Sequence, residues 1–279
     1  MRYALSLPDG GECGDPRFLV ELAERAEAAG WEGVFLEDYV CFQGDPSTPT
    51  ANTWAALAAI AARTERVRLG VAVTPLARRR PWNVAREAAA VDQLSGGRMI
   101  FGAGLGDVGA HVVRDASFTA FGEELDARVR AEMLEEGLEI LAGLWTGEPF
   151  SFRGKHYTVE EVTFRPRPVQ EPRIPIWIGG GYPNPGPTRR AARWDGSMLY
   201  GTRQHDLAPD DVRAIRANAG DRPYDVMLGG RARRDDVDAD RAWMRSVAEA
   251  GATWWSEYVP AAERGDMRKA VDRGPLKVD

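Results

Sequence analysis

VRLGVAVTPLARRRPWNVAREAAAVDQLSGGRMIFGAGLG, residues 67–106, decides the fold. Val67–Thr74 is short, apolar and rich in β-branched residues, the composition of a buried strand. Pro81 then stands where a helix would open, the helical position that proline tolerates best. From there Trp82, Ala85, Ala89, Val91 and Leu94 fall on one helical stripe, and Ser95, Gly96 and Gly97 end it. Arg98–Ala103 is a second apolar strand, with Gly102, Gly104 and Gly106 at its end. A strand–helix–strand unit of this kind sets two parallel strands side by side. In parallel α/β folds the chemistry gathers at the carboxyl ends of the strands.

The same alternation extends both ways. Arg2–Leu7 reads as a strand. Asp15 and Pro16 open a helix whose buried face carries Phe18, Leu19, Leu22, Ala23, Ala26 and Ala29. Val34–Leu36 is a strand core closing on Glu37, Asp38 and Tyr39. Cys41–Asn52 is a loop, and Thr53–Arg63 an alanine-rich helix. Beyond Gly106 the pattern breaks until Glu123, after which apolar residues recur at helical spacing from Leu125 to Leu144. Phe150–Val169 alternates in short pieces around Gly154, as a small hairpin would. Ile174–Ile178 is a buried strand stopped by Gly179, Gly180 and Gly181, and Thr188–Trp194 a short helix. Two more strand–helix pairs follow, then a last strand, Thr253–Glu257, and a last helix, Ala261–Val271. Eight strands alternating with about eight helices in one chain of this length predict a (β/α)8 TIM barrel. The predicted arrangement is a single domain over 1–279 with a small insertion after the fourth strand, near 146–172. A doubly wound open sheet is the second arrangement compatible with the pattern.

Composition narrows the function. A formal net charge of -6 and a pI near 5.3 speak against nucleic acid as a partner. No apolar run approaches the ~20 residues of a membrane span, and MRYALSLPDG lacks the pattern of a cleavable signal. Cys13 and Cys41 are the two cysteines and form no CxxC, which suits a reduced, cytoplasmic setting.

Candidates for chemistry are the residues at strand ends. Gly104, Gly106 and Gly109 spell GxGxxG, but no sustained amphipathic helix follows, so the dinucleotide fingerprint lacks its context. His111, His156 and His205 are scattered and form no metal-binding cluster. His111, just past the glycines, is the one to hold. Arg78, Arg79 and Arg80 are either a solvated run or an anion clamp. Gly179–Gly181 either turn the chain or, with the helix near Thr188, cradle a phosphate. Trp54, Trp82 and Trp145 lie on helices as core residues. Trp254 and Trp255 alternate, so one faces the barrel interior and the other the helices.

Several spaced segments resemble the luciferase-like monooxygenase family. They are DQLSGGR (92–98) with FGAGLG after it, RAEAAGWEGVFLED (25–38), LAAIAARTERVRLG (57–70) and VTPLARRRPW (73–82). FRPRPVQEPRIPIWIGG (164–180), AARWDG (191–196) and EAGATWW (249–255) complete the set. The resemblance implies a (β/α)8 barrel binding FMN or the deazaflavin coenzyme F-420 at the carboxyl end. It implies a flavin- or deazaflavin-dependent oxidoreductase or monooxygenase acting on a small organic substrate, by hydride transfer or by oxygen activation at the ring. A non-catalytic flavin-binding relative is the alternative, and an unrelated aldolase or isomerase barrel would need a strand-end lysine or a metal cluster. A flavin reductase or other supplier of reduced cofactor, and a homodimer, go with the family.

Residue by residue, the resemblance implies a non-proline cis peptide at Ala72–Val73 against the cofactor ring, with Thr74 beside it. It implies cofactor contacts from Gly104, Gly106 and Gly179, and a phosphate held by Gly180, Gly181 and Thr188. Leu105 stands where bacterial luciferase has a phosphate-binding arginine. Where the family often has Asp-His, this chain has Asp38 and Tyr39, the expected catalytic pair. Tyr39 is a donor but a poor base at neutral pH. Leu7, His111 and Glu257 are the expected lining of the substrate pocket, and no metal is expected.

Overall fold

The computed structural model describes residues 1–106 and 116–278. Its regular elements are β1 (Arg2–Leu7), α1 (Pro16–Ala28), β2 (Gly33–Leu36), α2 (Thr53–Arg63), β3 (Arg68–Val71), α3 (Pro81–Leu94), β4 (Met99–Gly104) and α4 (Ala127–Trp145). They continue with β5 (Ile176–Tyr182), α5 (Pro185–Ala191), β6 (Gly196–Gly201), α6 (Pro209–Asn218), β7 (Asp225–Arg231), α7 (Val237–Glu249), β8 (Trp254–Tyr258) and α8 (Arg264–Asp272). Every strand pairs in parallel with the next in sequence, and β8 pairs with β1, Arg2 opposite Trp254. That last pairing closes the sheet into a (β/α)8 barrel and removes the open-sheet arrangement.

Local chemistry starts the helices. The Asp15, Asn52, Asp126 and Asp236 side chains accept backbone N–H groups at the starts of α1, α2, α4 and α7. Proline occupies the first turn of α1, α3, α5 and α6.

Period-2 alternation divides the strands' side chains between two cores. Leu5, Leu7, Val34, Leu36, Phe101 and Trp255 pack outward against the helices. Ala4, Phe35, Ile100, Trp177, Met227 and Trp254 fill the barrel. Trp254 inside and Trp255 outside is the split expected from sequence.

Three inward glycines make room for the interior rings. A Cβ on Gly70 would lie 2.4 Å from Phe35, one on Gly196 2.5 Å from Trp177, and one on Gly33 3.0 Å from Trp254. The rings pack on one another with centroids 5.8–6.3 Å apart. The Arg2 guanidinium lies 4.3 Å from the Trp254 ring. The amino end of the barrel is thereby filled, and the open space lies at the carboxyl end.

Several boundaries differ from expectation. β3 stops at Val71, and the chain resumes pairing with β4 only at Thr74–Pro75, beyond a cis Ala72–Val73 peptide. β5 does not stop at its glycines: Gly179, Gly180 and Gly181 pair with β6 as far as Tyr182. The helix expected from Glu124 begins at Ala127, because Asp126 caps it, and Leu125 stays exposed. Ala116–Thr119 is a further helical turn. Trp54 and Trp145 are buried, whereas Trp82 is 37% exposed, its ring against Tyr157 at the surface. Between α4 and β5 an antiparallel hairpin, Pro149–Arg153 with Thr158–Thr163, packs Phe150, Phe152 and Val159 against the outer core. Among the described residues no helix is long and apolar enough to cross a membrane.

Candidate active site at the barrel mouth

A cavity of about 400 Å³ opens at the carboxyl end of the barrel, within the size range of small-molecule sites. Gly179, Gly180, Gly229 and Gly230 give it walls without side chains, and Met198, Leu199, Met227 and Leu228 give it apolar ones. Ala72 and Val73 form one side. A second space of about 140 Å³, on Glu37, Asp38, Tyr39, Pro75 and Gly106, shares Ala72, Val73 and Glu37 with the first.

The peptide between Ala72 and Val73 is cis, at the position expected. The Val73 side chain explains two glycines. A Cβ on Gly104 would come within 2.5 Å of one Val73 methyl, and a Cβ on Gly179 within 2.7 Å of the other. Gly104 therefore admits Val73 and does not line either cavity. Gly106 has φ +71, and a Cβ there would lie 2.6 Å from Phe118. It lines the smaller space.

Polar groups stand on the inward register. The Ser6 and Ser256 hydroxyls meet at 2.9 Å across the β1–β8 seam. The Nε2–H of His205 donates to the Gly229 carbonyl at 2.6 Å, and its ring stacks on Tyr200. Glu37 faces both cavities from the end of β2. Its carboxyl forms no hydrogen bond among the described residues, and Oε2 is sealed from solvent. Burial, and then the charge of Asp9, push Glu37 up to about 8. Burial also pushes Asp9 up to about 7, outweighing the bonds it accepts from the Tyr39 N–H and the Thr53 hydroxyl.

The residues expected from sequence divide. Ala72, Val73, Gly179 and Gly180 line the large cavity, and Asp38, Tyr39 and Gly106 the small one. Asp38 is not free for acid–base work. Its carboxylate accepts from the Thr74 hydroxyl at 2.8 Å, the Trp54 indole at 3.4 Å and the Arg79 guanidinium at 3.3 Å. Arg78 also donates to its carbonyl and pairs with its carboxylate. Arg78 and Arg79 are thus held by Asp38 rather than solvated, although Arg78 Nη1 is buried without a partner among the described residues. Thr74 serves Asp38 from a fully buried position.

Besides Gly104, four more placements differ from the expectation. Leu7 and Glu257 have outward parity: Leu7 packs against the helices, and Glu257 pairs with Arg233 at 2.9 Å and with Arg273. Thr188 gives its hydroxyl (2.7 Å) and its amide (3.3 Å) to the Asn184 carbonyl, so neither is free for a phosphate. Gly181 approaches Thr202 and lines neither cavity. His111, with Gly109, lies outside the described residues. Sequence reasoning missed Ser6, Glu37, His205, Ser256 and Tyr258. All but His205 sit two residues beyond inward-facing Ala4, Phe35, Trp254 and Ser256, a signal the pattern did contain.

Side-chain-free walls, apolar flanks and a few convergent hydroxyls fit a planar, uncharged ring. Among the described residues no group of three His, Cys, Asp or Glu side chains is placed to hold a metal ion.

The model of the luciferase-like monooxygenase family matches residues 4–273. The chain belongs to this family. Its curated relatives include an F420-dependent glucose-6-phosphate dehydrogenase from Microbacterium testaceum, 33% identical over 64% of this chain and 50% of that protein. Another, from Intrasporangium calvum, is 36% identical over 60% and 49%. The chain spans about half the length of these relatives. Among solved structures, a monooxygenase from Streptomyces bottropensis matches with TM-score 0.78 at 21% identity, over 97% of this chain and 96% of that one. An F420-dependent secondary alcohol dehydrogenase in complex with an F420–acetone adduct matches with TM-score 0.75 at 18% identity, over 100% and 99%. These two likenesses establish the family barrel and carry no more than that.

Proposed function

We propose that this luciferase-like chain is an oxidoreductase that uses the deazaflavin coenzyme F420 and acts on a small organic substrate. The observation that carries the reading is the 400 Å³ cavity, with its glycine walls and its Ala72–Val73 side. Relatives above 30% identity that are named F420-dependent favour the deazaflavin over FMN. When bound, the coenzyme supplies a two-electron hydride acceptor or donor.

The chain's own residues supply the rest. Gly179, Gly180, Gly229 and Gly230 would let backbone approach the coenzyme ring closely. Ser6 and Ser256 offer hydroxyls to its polar edge. Met198, Leu199, Met227 and Leu228 keep water from the reacting atoms, which strengthens every polar interaction there. Among the described residues lining the two cavities, His205 is the one group able to carry positive charge. That lining suits an uncharged substrate.

The experiment is a fluorescence titration of the purified protein with F420 and, separately, with FMN. The reading expects F420 to bind at least about tenfold more tightly, a difference of about 1.4 kcal/mol. Tighter binding of FMN would move the chain to the flavin monooxygenases of its family. Binding without turnover would make it a non-catalytic relative, and binding of neither would end the proposal.

A further inference from the structure

Glu37 differs from the buried carboxylates Asp38, Asp92, Asp240 and Glu257, while Asp9 keeps one oxygen, Oδ1, without a partner among the described residues. Asp38 is held by Thr74, Trp54 and Arg79, Asp92 by the Val169 and Gln170 amides, Asp240 by Arg231, and Glu257 by Arg233. Glu37 has none of this. Its backbone is fixed, since the Thr53 hydroxyl donates to its carbonyl at 2.6 Å. Its carboxyl, in contrast, stands bare where the two cavities meet. An unpartnered polar group at a buried wall is costly. Oε2 is the sealed oxygen, so Oε1 is the one that a ligand oxygen in the cavity can reach.

We infer that Glu37 is the catalytic residue that exchanges a proton with the oxygen of a neutral carbonyl or alcohol substrate, a role that rests on the hydride-transfer reading above. In the reducing direction, the substrate carbon receives the hydride and its electron pair from the reduced coenzyme. The carbonyl π pair moves to oxygen. The O–H bond of the Glu37 carboxyl breaks and the O–H bond of the alcohol forms, leaving Glu37 as carboxylate, which solvent reprotonates. The oxidising direction runs the same transfers backwards.

The surroundings keep Glu37 protonated at neutral pH. Burial and the neighbouring Asp9 charge place it at about 8, close to a working pH. The groups around it are Asp9 from the loop after β1, Asp38 and Tyr39 on its own segment, Tyr258 and Ser256 from β8, Ser6 from β1 and His205 from the far rim. The Tyr258 phenol is itself pushed up, chiefly by burial and next by Glu37. Arg79 pairs with Asp38 and Glu87 and Arg78 with Asp38, and burial and Asp9 alone set the Glu37 shift.

The test uses the full chain as wild type, Glu37→Gln, Asp9→Asn and the double variant. Without any ligand, infrared spectroscopy reads the carbonyl stretch of a protonated carboxylic acid. Asp9, itself pushed up to about 7, gives a second such band. In Asp9→Asn the one remaining band should fade with rising pH, and adding Glu37→Gln to Asp9→Asn should remove it. Loaded with F420, each protein is then assayed on a panel of short secondary alcohols and ketones. Glu37→Gln should bind F420 within about threefold of wild type and lose about 10²–10⁴-fold in kcat with little change in KM. An Asp9→Asn, Glu37→Gln double variant that keeps the titrating band, or a Glu37→Gln protein that turns over within about fivefold of wild type, overturns the assignment. A loaded wild type that turns over no panel member overturns the substrate class. Failure of wild type to bind F420 instead removes the reading beneath it, and the infrared result separates the two.

Discussion

Glu37 and Asp38 are consecutive in the chain and both border the smaller cavity, yet the Asp38 carboxylate is held by Thr74, Trp54 and Arg79 while the Glu37 carboxyl is not hydrogen-bonded among the described residues. Glu37 continues the inward register of Phe35 and meets the cavities. Asp38 turns towards Trp54 on α2 and to Arg79. The first carries the chemistry of the mouth, and the second fixes the segments that surround it.

Asp38→Asn should act on stability. Its carboxylate neutralises Arg78, whose side chain is 3% exposed, and Arg79. Removing one partner of a buried ion pair leaves an uncompensated charge and costs about 3–5 kcal/mol. Chemical denaturation of the variant should show a loss of that order. A loss below about 1 kcal/mol would mean that Asp38 is not what holds the arginine run.

Glu37 should give stability a pH dependence of definite sign. The folded chain holds the Glu37 proton up to about 8, the unfolded chain only to the ordinary 4.5. Between these values the native state binds more protons than the unfolded one, so stability falls as pH rises. Glu37→Gln removes that slope. Urea midpoints across this window should favour the variant increasingly towards pH 8, and parallel curves for the two proteins would contradict the shift.

Gly104→Ala should collide with Val73, since the new Cβ would lie 2.5 Å from its methyl. Overpacking of this kind costs about 1–3 kcal/mol. Val73→Ala should relieve most of it, and a double-mutant cycle on thermal unfolding should return a coupling near 1 kcal/mol. Additive effects would show that the glycine serves something other than Val73.

Thr188→Val should hardly change coenzyme affinity. Its hydroxyl and amide both end on the Asn184 carbonyl, so the substitution removes one local hydrogen bond worth about 1 kcal/mol of stability. A tenfold or greater loss in the F420 titration, about 1.4 kcal/mol, would restore Thr188 to the phosphate site.

The barrel and its order of strands were legible because helical stripes and short β-branched runs alternate from Arg2 to Val271. The cis position was legible by resemblance, through the segments on either side of Ala72. Leu7 and Glu257 failed for a single reason. Both lie at strand ends, but parity decides which end residues see the cavity. The alternation that separates Trp254 from Trp255 also turns Glu257 outward and Ser256 inward. Extended back to β2, it selects Glu37 over Asp38. Thr188 failed because two prolines move the helix start back to Pro185, which places Thr188 past the first turn. His205 carries no local signal: a bond to Gly229 on the next strand brings it to the rim.

Among the described residues, the ring layer of Phe35, Trp177 and Trp254 closes the amino end of the barrel and leaves a well open at the carboxyl end. Two molecules that must meet inside it cannot pass each other. Whichever sits deeper has to arrive first and depart last, so coenzyme and substrate form a queue. Product-inhibition patterns should then show compulsory order, imposed by three aromatic side chains buried below the place where either molecule rests.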